Sequence, residues 1–192
     1  MAAFAAERGA KMALFQPDHT FLCYRDVSVA FLEREGIEVL LLDIDNTLAP
    51  YEQPEPDEHI RAWLESLAAA GIRAAFLSNN HGPRVTLFNE SLGLPMRFDA
   101  HKPLKGTAKK LLAELGGNKK NAALMGDQVF TDVLCARNLG IRALLVPPIK
   151  DKTDAGTRLK RFFERGILKR YYKKHPNAPD IRVGSSISKE FQ

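Results

Sequence analysis

The sequence predicts an α/β fold, a doubly wound parallel sheet, and three observations carry that expectation. Four short, nearly all-apolar runs recur at residues 37–43, 72–77, 121–125 and 141–146. Such runs mark strands covered on both faces. Stretches with helical spacing of apolar residues lie between them, and strand–helix alternation implies right-handed crossovers and a parallel sheet. Polar residues suited to chemistry follow the runs at Asp43, Ser78, Asn79 and Asp127. Ligands of doubly wound sheets bind beyond the carboxyl ends of the strands, where these residues fall.

The elements follow in order. Residues 28–35 read as the first helix, and 37–43 (IEVLLLD) as the first strand. Residues 56–71 read as a helix: Pro56 suits the first turn, Asp57 and Glu58 favour the positive end of the dipole, and Ile60, Trp63, Leu64 and Leu67 recur at helical spacing. Gly71 suits its stop. Residues 72–77 are the second strand, followed by a helix over 83–92 and an extended piece at 96–100. A helix over 104–115 closes at Gly116-Gly117; residues 121–125 are the third strand, 129–139 a helix ended by Gly140, and 141–146 the fourth strand. Cys135 falls on that last helix, where a core position is expected.

Composition excludes several classes. Of 192 residues, 45% are hydrophobic, 27% are charged, and Gly and Pro number 13 and 11, near the globular average, so a disordered, collagenous or coiled-coil chain is ruled out. No apolar run approaches the ~18 residues that span a bilayer. Two cysteines, neither in a CxxC, make no disulfide scaffold and fit a reducing compartment. Residues 1–15 carry Arg8 and Lys11 without a compact apolar core, so no secretory signal is expected. The expectation is a cytoplasmic protein, soluble or peripheral at a membrane surface. Its organisation reads as an N-terminal extension (1–36) with one helix on the core, a catalytic core (37–150), and a basic helical extension and tail (151–192). The overall charge of +5 is uneven: residues 150–174 carry ten Lys or Arg against three acids, leaving the remainder at −2.

The chemistry concentrates in a few segments. Asp43-Ile44-Asp45-Asn46-Thr47 follows the first strand directly. Two carboxylates so close repel each other and call for a cation between them, and hard oxygen ligands point to Mg²⁺. Asp43 is then suited to attack phosphorus, while Asp45 gives a proton to the leaving oxygen and later takes one from water. The plainer reading of these residues is an Asx-rich turn. Gly126-Asp127, with Asp132 further on, follows the third strand: Asp127 is a natural third metal oxygen or a helix N-cap, Gly126 allows close backbone approach, and Asp132 suits a metal-bound water or a basic partner. Ser78-Asn79-Asn80 offers phosphate-binding groups at a helix start, and Lys102 before Pro103 offers a counter-charge. Alone, each is an ordinary turn or a solvated lysine.

Strand-DxDNT, strand-SNN, Lys-Pro and strand-GDxxxTD in this order resemble the four motifs of the haloacid-dehalogenase (HAD) superfamily of aspartyl-phosphate phosphohydrolases, over residues 37–146. The resemblance implies a HAD-like Rossmannoid sheet, Asp43 as nucleophile and Asp45 as general acid/base. Ser78, Asn79 and Lys102 would bind the transferring phosphoryl group, and Mg²⁺ would be held by Asp43, the Asp45 carbonyl and Asp127, with Asp132, Thr47 and Asn80 behind them. LLLDIDNTL, SNN, KP and GDQVFTDV, with LFQPD before and a basic extension after, are similar to the YqeG-type HAD-IIIA phosphatases. That group is similar to mitochondrial-type phosphatidylglycerophosphate phosphatases, which implies a phospholipid head group as substrate.

Neither residues 46–72 nor 80–102 has room for a cap domain, so the fold is expected to be uncapped and the site open unless a neighbouring subunit of an oligomer closes it. An open site suits a phosphate displayed on a lipid, a protein or a nucleic-acid end; with an oligomeric lid it suits a small phosphometabolite. Residues 157–174 set Leu159, Phe162, Phe163, Gly166 and Ile167 on one helical face amid cations, with Leu168 and Tyr172 off the stripe. That face either packs on the sheet or lies on an anionic membrane. RNA binding is a third use, without a recognised nucleic-acid motif behind it. Two rivals to an enzyme are a phosphorylated receiver module, against which Asp45 argues, and a non-catalytic HAD-like scaffold that binds RNA or a partner.

Overall fold

A computed structural model of the chain describes residues 14–150 and 155–181, with the side chains of 155–162 left aside. Its centre is a six-stranded, wholly parallel sheet. The strands are β1 (His19–Thr20), β2 (Val39–Leu42), β3 (Arg73–Leu77), β4 (Met96–Arg97), β5 (Ala122–Gly126) and β6 (Arg142–Leu145). The helices are α1 (Val29–Arg34), α2 (Glu58–Ala69), α3 (Gly82–Asn89), α4 (Gly106–Glu114), α5 (Leu134–Leu139) and α6 (Ala155–Lys174). The strand order is β1-β6-β5-β2-β3-β4, so β2 lies inside, between β5 and β3.

Period-two alternation splits each strand between two cores. Leu40, Leu42, Phe76, Met125 and Leu144 face the layer that holds Phe31 and Leu32 of α1, Ile60, Trp63 and Leu67 of α2, and Phe88 of α3. Val39, Leu41, Leu77, Leu124 and Leu145 face the opposite layer, with Leu111 of α4, Leu139 of α5, and Ile167 and Tyr171 of α6. Register aligns Leu42 with Phe76 and with Met125, so the chain leaves β2, β3 and β5 at one level. Asp43, Ser78 and Asp127 are therefore delivered to the same edge. Residues 46–72 hold a loop and α2, and 80–102 hold α3 and β4, with no inserted domain in either.

Several boundaries differ from the sequence expectation, each for a local reason. Helix α2 begins after Asp57, because the Asp57 carboxylate accepts the Ile60 N–H at 2.8 Å and so caps the helix, leaving Pro56 outside. The expected helix over 129–139 is regular only in α5. Residues 129–133 open into a wide π-type turn, in which the Val133 N–H reaches the Gln128 carbonyl at 3.2 Å. Strand β1, two residues long, has no apolar run to announce it; Asp18 holds it through backbone and side-chain bonds to Ala143.

The largest correction concerns α6. The face it buries is Glu164, Ile167, Leu168, Tyr171 and Tyr172, whereas Phe163 is 55% exposed and Gly166 is exposed. The tyrosines bury their rings and spend their hydroxyls on backbone carbonyls, Tyr171 on Asp18 and Tyr172 on Pro179. Leu168 and Tyr172 thus belong to the packed stripe. Leu159 and Phe162 lie outside the described side chains. Arg165, Lys169, Arg170, Lys173 and Lys174 are exposed on the other side. No described helix is long and apolar enough to cross a membrane.

Candidate active site

Asp43 is the first residue beyond β2, and its N–H remains in the ladder through the Met125 carbonyl at 3.0 Å. Its carboxylate is buried between two donors. Lys102 Nζ donates to Oδ1 at 2.7 Å and Thr47 Oγ1 donates to Oδ2 at 3.1 Å. Lys102 Nζ also donates to Asp132 Oδ1 at 2.6 Å, and both side chains of that pair are only 2% exposed. A lysine here is no solvated surface group: it is the cation of a buried carboxylate–ammonium–carboxylate chain.

Asp132 reaches this place because Gly126 has no side chain. A Cβ built on Gly126 would stand 2.2 Å from Asp132 Cγ. The other Asp132 oxygen accepts the Gln128 N–H and the Thr131 hydroxyl, each at 3.1 Å. One oxygen each of Asp43, Asp127 and Asp132 lies within 4.8 Å of the others, and all three residues are buried.

Asp45 is placed apart from that group. Asn80 Nδ2 donates to its Oδ2 at 3.0 Å and Arg84 Nε to its Oδ1 at 3.2 Å. Arg84, in the first turn of α3, also donates to the Pro54 carbonyl at 3.0 Å and stacks over the Phe88 ring. Between the two aspartates the backbone turns at Asn46, whose φ of +64° is a left-handed conformation that asparagine tolerates. Its carbonyl and Oδ1 accept the N–H groups of Ile149 and Lys150, tying this turn to the loop after β6.

Ser78 is buried, and its Oγ accepts the Asn80 N–H at 3.0 Å. The Asn79 side chain grips the backbone of Lys102 in both directions: Nδ2 donates to the Lys102 carbonyl at 3.0 Å and Oδ1 accepts its N–H at 2.6 Å. All nine residues singled out from the sequence therefore fall in one connected region: Asp43, Asp45, Thr47, Ser78, Asn79, Asn80, Lys102, Asp127 and Asp132. His101, next to Lys102, is exposed, and its Nδ1 contacts the Asp99 carbonyl. Cys135 is buried in α5, where burial pushes its thiol up to about 11.

The electrostatics divide the two neighbouring acids. Burial pushes the Asp43 carboxyl up from 3.8 to about 6; the Lys102 ammonium pulls it down, and the Asp132 and Asp45 charges add to the rise. For Lys102, burial acts downward, but the Asp132 and Asp43 carboxylates outweigh it and raise the ammonium above the ordinary lysine value. Ionised, Asp43, Asp127 and Asp132 outnumber Lys102 by two negative charges, whereas Asp45 is balanced by Arg84. Three buried, closely spaced, oxygen-only ligands with that charge excess fit a hard divalent cation.

Two members escaped the sequence reading. Arg84 carries no motif signal, since an arginine early in a helix is ordinary. Glu164 is buried on α6, and its Oε1 accepts the Val129 N–H at 3.0 Å, two residues after Asp127. The available signal was one acid in a run of cations, in phase with Ile167, Leu168 and Tyr171 at i+3, i+4 and i+7.

Comparison with known proteins places this geometry in context. A family model described as HAD-hydrolase-like matches residues 100–160. The chain is 30% identical over 154 residues to probable phosphatase YqeG of Bacillus subtilis (strain 168), covering 80% of this chain and 90% of that protein. It is 23% identical over 167 residues to phosphatidylglycerophosphate phosphatase 1, chloroplastic/mitochondrial, of Arabidopsis thaliana, covering 82% of this chain and 48% of that protein. Among solved structures, 3-deoxy-D-manno-octulosonate 8-phosphate phosphatase from Yersinia pestis aligns with a TM-score of 0.46 at 16% identity, over 77% of this chain and 89% of that chain.

Proposed function

Since the chain belongs to the YqeG-type HAD phosphatases, we propose that it is a Mg²⁺-dependent phosphomonoester hydrolase that works through a phosphorylated Asp43. The observation that carries this is the contrast between two aspartates two residues apart. Asp43 sits in the buried cluster with Asp127, Asp132 and Lys102, and Asp45 sits outside it between Asn80 and Arg84. Neighbouring carboxyls in unlike surroundings are suited to unlike tasks.

Asp43 Oδ attacks phosphorus in line with the ester oxygen; the Asp43–phosphorus bond forms as the phosphorus–oxygen ester bond breaks. Asp45 gives its proton to the departing oxygen, then takes one from the water that attacks the aspartyl-phosphate, releasing inorganic phosphate and restoring Asp43. Lys102 and the Ser78 hydroxyl steady the phosphoryl oxygens, and Asn79 serves them through its grip on the Lys102 backbone. Asp43, Asp127 and the Asp45 carbonyl would hold Mg²⁺, with Asp132 beside them, and the ion would supply the charge neutralisation that phosphoryl transfer needs most.

As substrate we propose a phospholipid head group, phosphatidylglycerophosphate or a relative of it. Three observations support this: the likeness to a phosphatidylglycerophosphate phosphatase, the lack of an inserted cap, and the exposed cationic face of α6 with Phe163 beside it. Cations near an anionic membrane contribute ~1 kcal/mol each, and this face would hold the protein peripherally at such a surface.

The test is a panel of phosphomonoesters, including phosphatidylglycerophosphate in mixed micelles, assayed for phosphate release with MgCl₂ or EDTA. Asp43→Asn should lower turnover by several orders of magnitude and leave the fold intact; wild-type hydrolysis of p-nitrophenyl phosphate by that variant rejects the mechanism. Because α6 packs into the core, the membrane arm uses Lys169→Glu/Lys173→Glu in place of truncation. Equal hydrolysis of lipid and water-soluble phosphates by that variant, each at the wild-type rate, rejects the membrane role.

A further inference from the structure

We propose that Glu164, on the C-terminal helix, is a positioning residue for the loop that carries Asp127, and that it sets the protein's affinity for its divalent cation. This rests on the metal-dependent reading above and deepens it. The first two backbone N–H groups after Asp127 are both bound by buried carboxylates, one from within the loop and one from α6. Asp132 accepts the Gln128 N–H at 3.1 Å from within the loop, and Glu164 accepts the Val129 N–H at 3.0 Å from 35 residues along the chain. Each of these acids is at most 4% exposed.

A merely decorative role leaves the cost of burying Glu164 unexplained. A buried carboxylate is expensive unless its hydrogen bonds are strong, and a backbone N–H bond to a charged acceptor is among the strong ones. Its neighbours on the same face, Ile167, Leu168 and Tyr171, are apolar contacts that any aliphatic residue at 164 would extend. What an aliphatic residue cannot do is take the Val129 N–H. The bond fixes the wide turn of residues 129–133 at its first residue and thereby the exit of the chain from Asp127. Groups that orient a ligand-bearing segment without touching the ion typically change metal affinity by 10–100-fold.

The experiment measures Mg²⁺ affinity of the full chain by calorimetry, beside p-nitrophenyl phosphate turnover as a function of MgCl₂. Glu164→Gln keeps an oxygen acceptor at the same reach without the charge, and Glu164→Asp keeps the charge but shortens the reach. The positioning role predicts near wild-type affinity for Glu164→Gln and about tenfold weaker affinity for Glu164→Asp and Glu164→Ala. Turnover at saturating Mg²⁺ should change little in all three. The opposite ranking, with aspartate like wild type and glutamine weak, overturns the hydrogen-bond account in favour of long-range charge. A lower melting temperature at unchanged Mg²⁺ affinity overturns it in favour of a purely structural role. Should Glu164→Ala fail to fold, the glutamine–aspartate comparison decides alone. If the wild type itself binds no Mg²⁺ by calorimetry, the metal reading of the preceding section falls, and this one with it; wild-type binding with indifferent variants sinks this one only.

Discussion

Replacing Gly126 by alanine adds one methyl group where the structure has no room. The new Cβ would stand 2.2 Å from Asp132 Cγ and 2.5 Å from both its Cβ and Oδ2, against 3.4 Å for ordinary contact. Asp132 must therefore retreat by about 1 Å, because the glycine lies within β5 and cannot shift without breaking the sheet. A retreat of that size breaks the 2.6 Å bond to Lys102 and strains the two 3.1 Å bonds at Oδ2. Overpacking alone costs about 1–3 kcal/mol. Leaving Lys102 buried with one of its two partners brings the loss toward the roughly 3–5 kcal/mol typical of a broken buried pair. At about 2–4 °C per kcal/mol for a chain of this size, the melting temperature should fall by roughly 6–20 °C. Displacing a site group by about 1 Å costs on the order of 10²-fold in rate. The internal control is Gly166→Ala, the same change at an exposed helical glycine with nothing within 4 Å, which should stabilise by about 1 kcal/mol. Thermal melts in EDTA and in MgCl₂, with p-nitrophenyl phosphate kinetics, read both variants. Indistinguishable melting temperatures and turnover for the two variants would refute the account of Gly126.

Two further outcomes follow from the same buried charges. Lys102→Met leaves Asp43 and Asp132 facing each other without their cation, so it should destabilise the metal-free protein by about 3–5 kcal/mol, with partial recovery when MgCl₂ is added; chemical denaturation with and without EDTA checks both, and a loss unaffected by MgCl₂ contradicts the cluster. The Asp43 shift makes a prediction whose sign is opposite to that of an ordinary paired carboxylate. Its folded value, about 6, lies above its ordinary 3.8, so between those values the folded protein holds a proton that the unfolded chain has released. Its contribution to stability is full below about pH 4 and is lost as pH rises through about 6. In metal-free protein, Asp43→Asn should therefore gain stability relative to wild type across that window, on the order of 3 kcal/mol. A stability gap that stays flat from pH 4 to pH 7 in paired urea titrations removes the basis for this claim.

How much of the fold was legible depended on whether an element declared itself locally. Strands β2, β3, β5 and β6 did, since both faces of each are covered and their sequences are almost uniformly apolar. Strand β1 did not, because two residues at a sheet edge carry no periodicity and owe their place to Asp18 and Ala143, 125 positions apart. The buried face of α6 lies more than a third of a turn from the stripe that the sequence predicts, the two sharing only Ile167. Leu168 and Tyr172 stand off the expected stripe, yet both are buried, and Tyr171 and Tyr172 each bury the ring and hand the hydroxyl to a backbone carbonyl. Tertiary partners decide which of two overlapping apolar stripes a helix buries, and no helical period can report that.

The site divides along the same line. Asp43, Ser78 and Asp127 could be found because a parallel sheet forces the residues that follow its strands to one edge; the strand period and the order of motifs contain that information. Lys102 needed the motif order as well, since only its company separates it from a solvated lysine. Arg84 and Glu164 act across 39 and 35 positions, on Asp45 and on Val129, from helices whose own sequences are satisfied without them. Glu164 nevertheless breaks a local rule by placing an acid on an apolar face, whereas Arg84 becomes distinctive only in the fold, where its side chain is 15% exposed. A residue that violates the pattern of its own helix is held there by something outside it. In this chain both residues lead to the aspartates singled out from the sequence, Arg84 to Asp45 directly and Glu164 to the loop of Asp127.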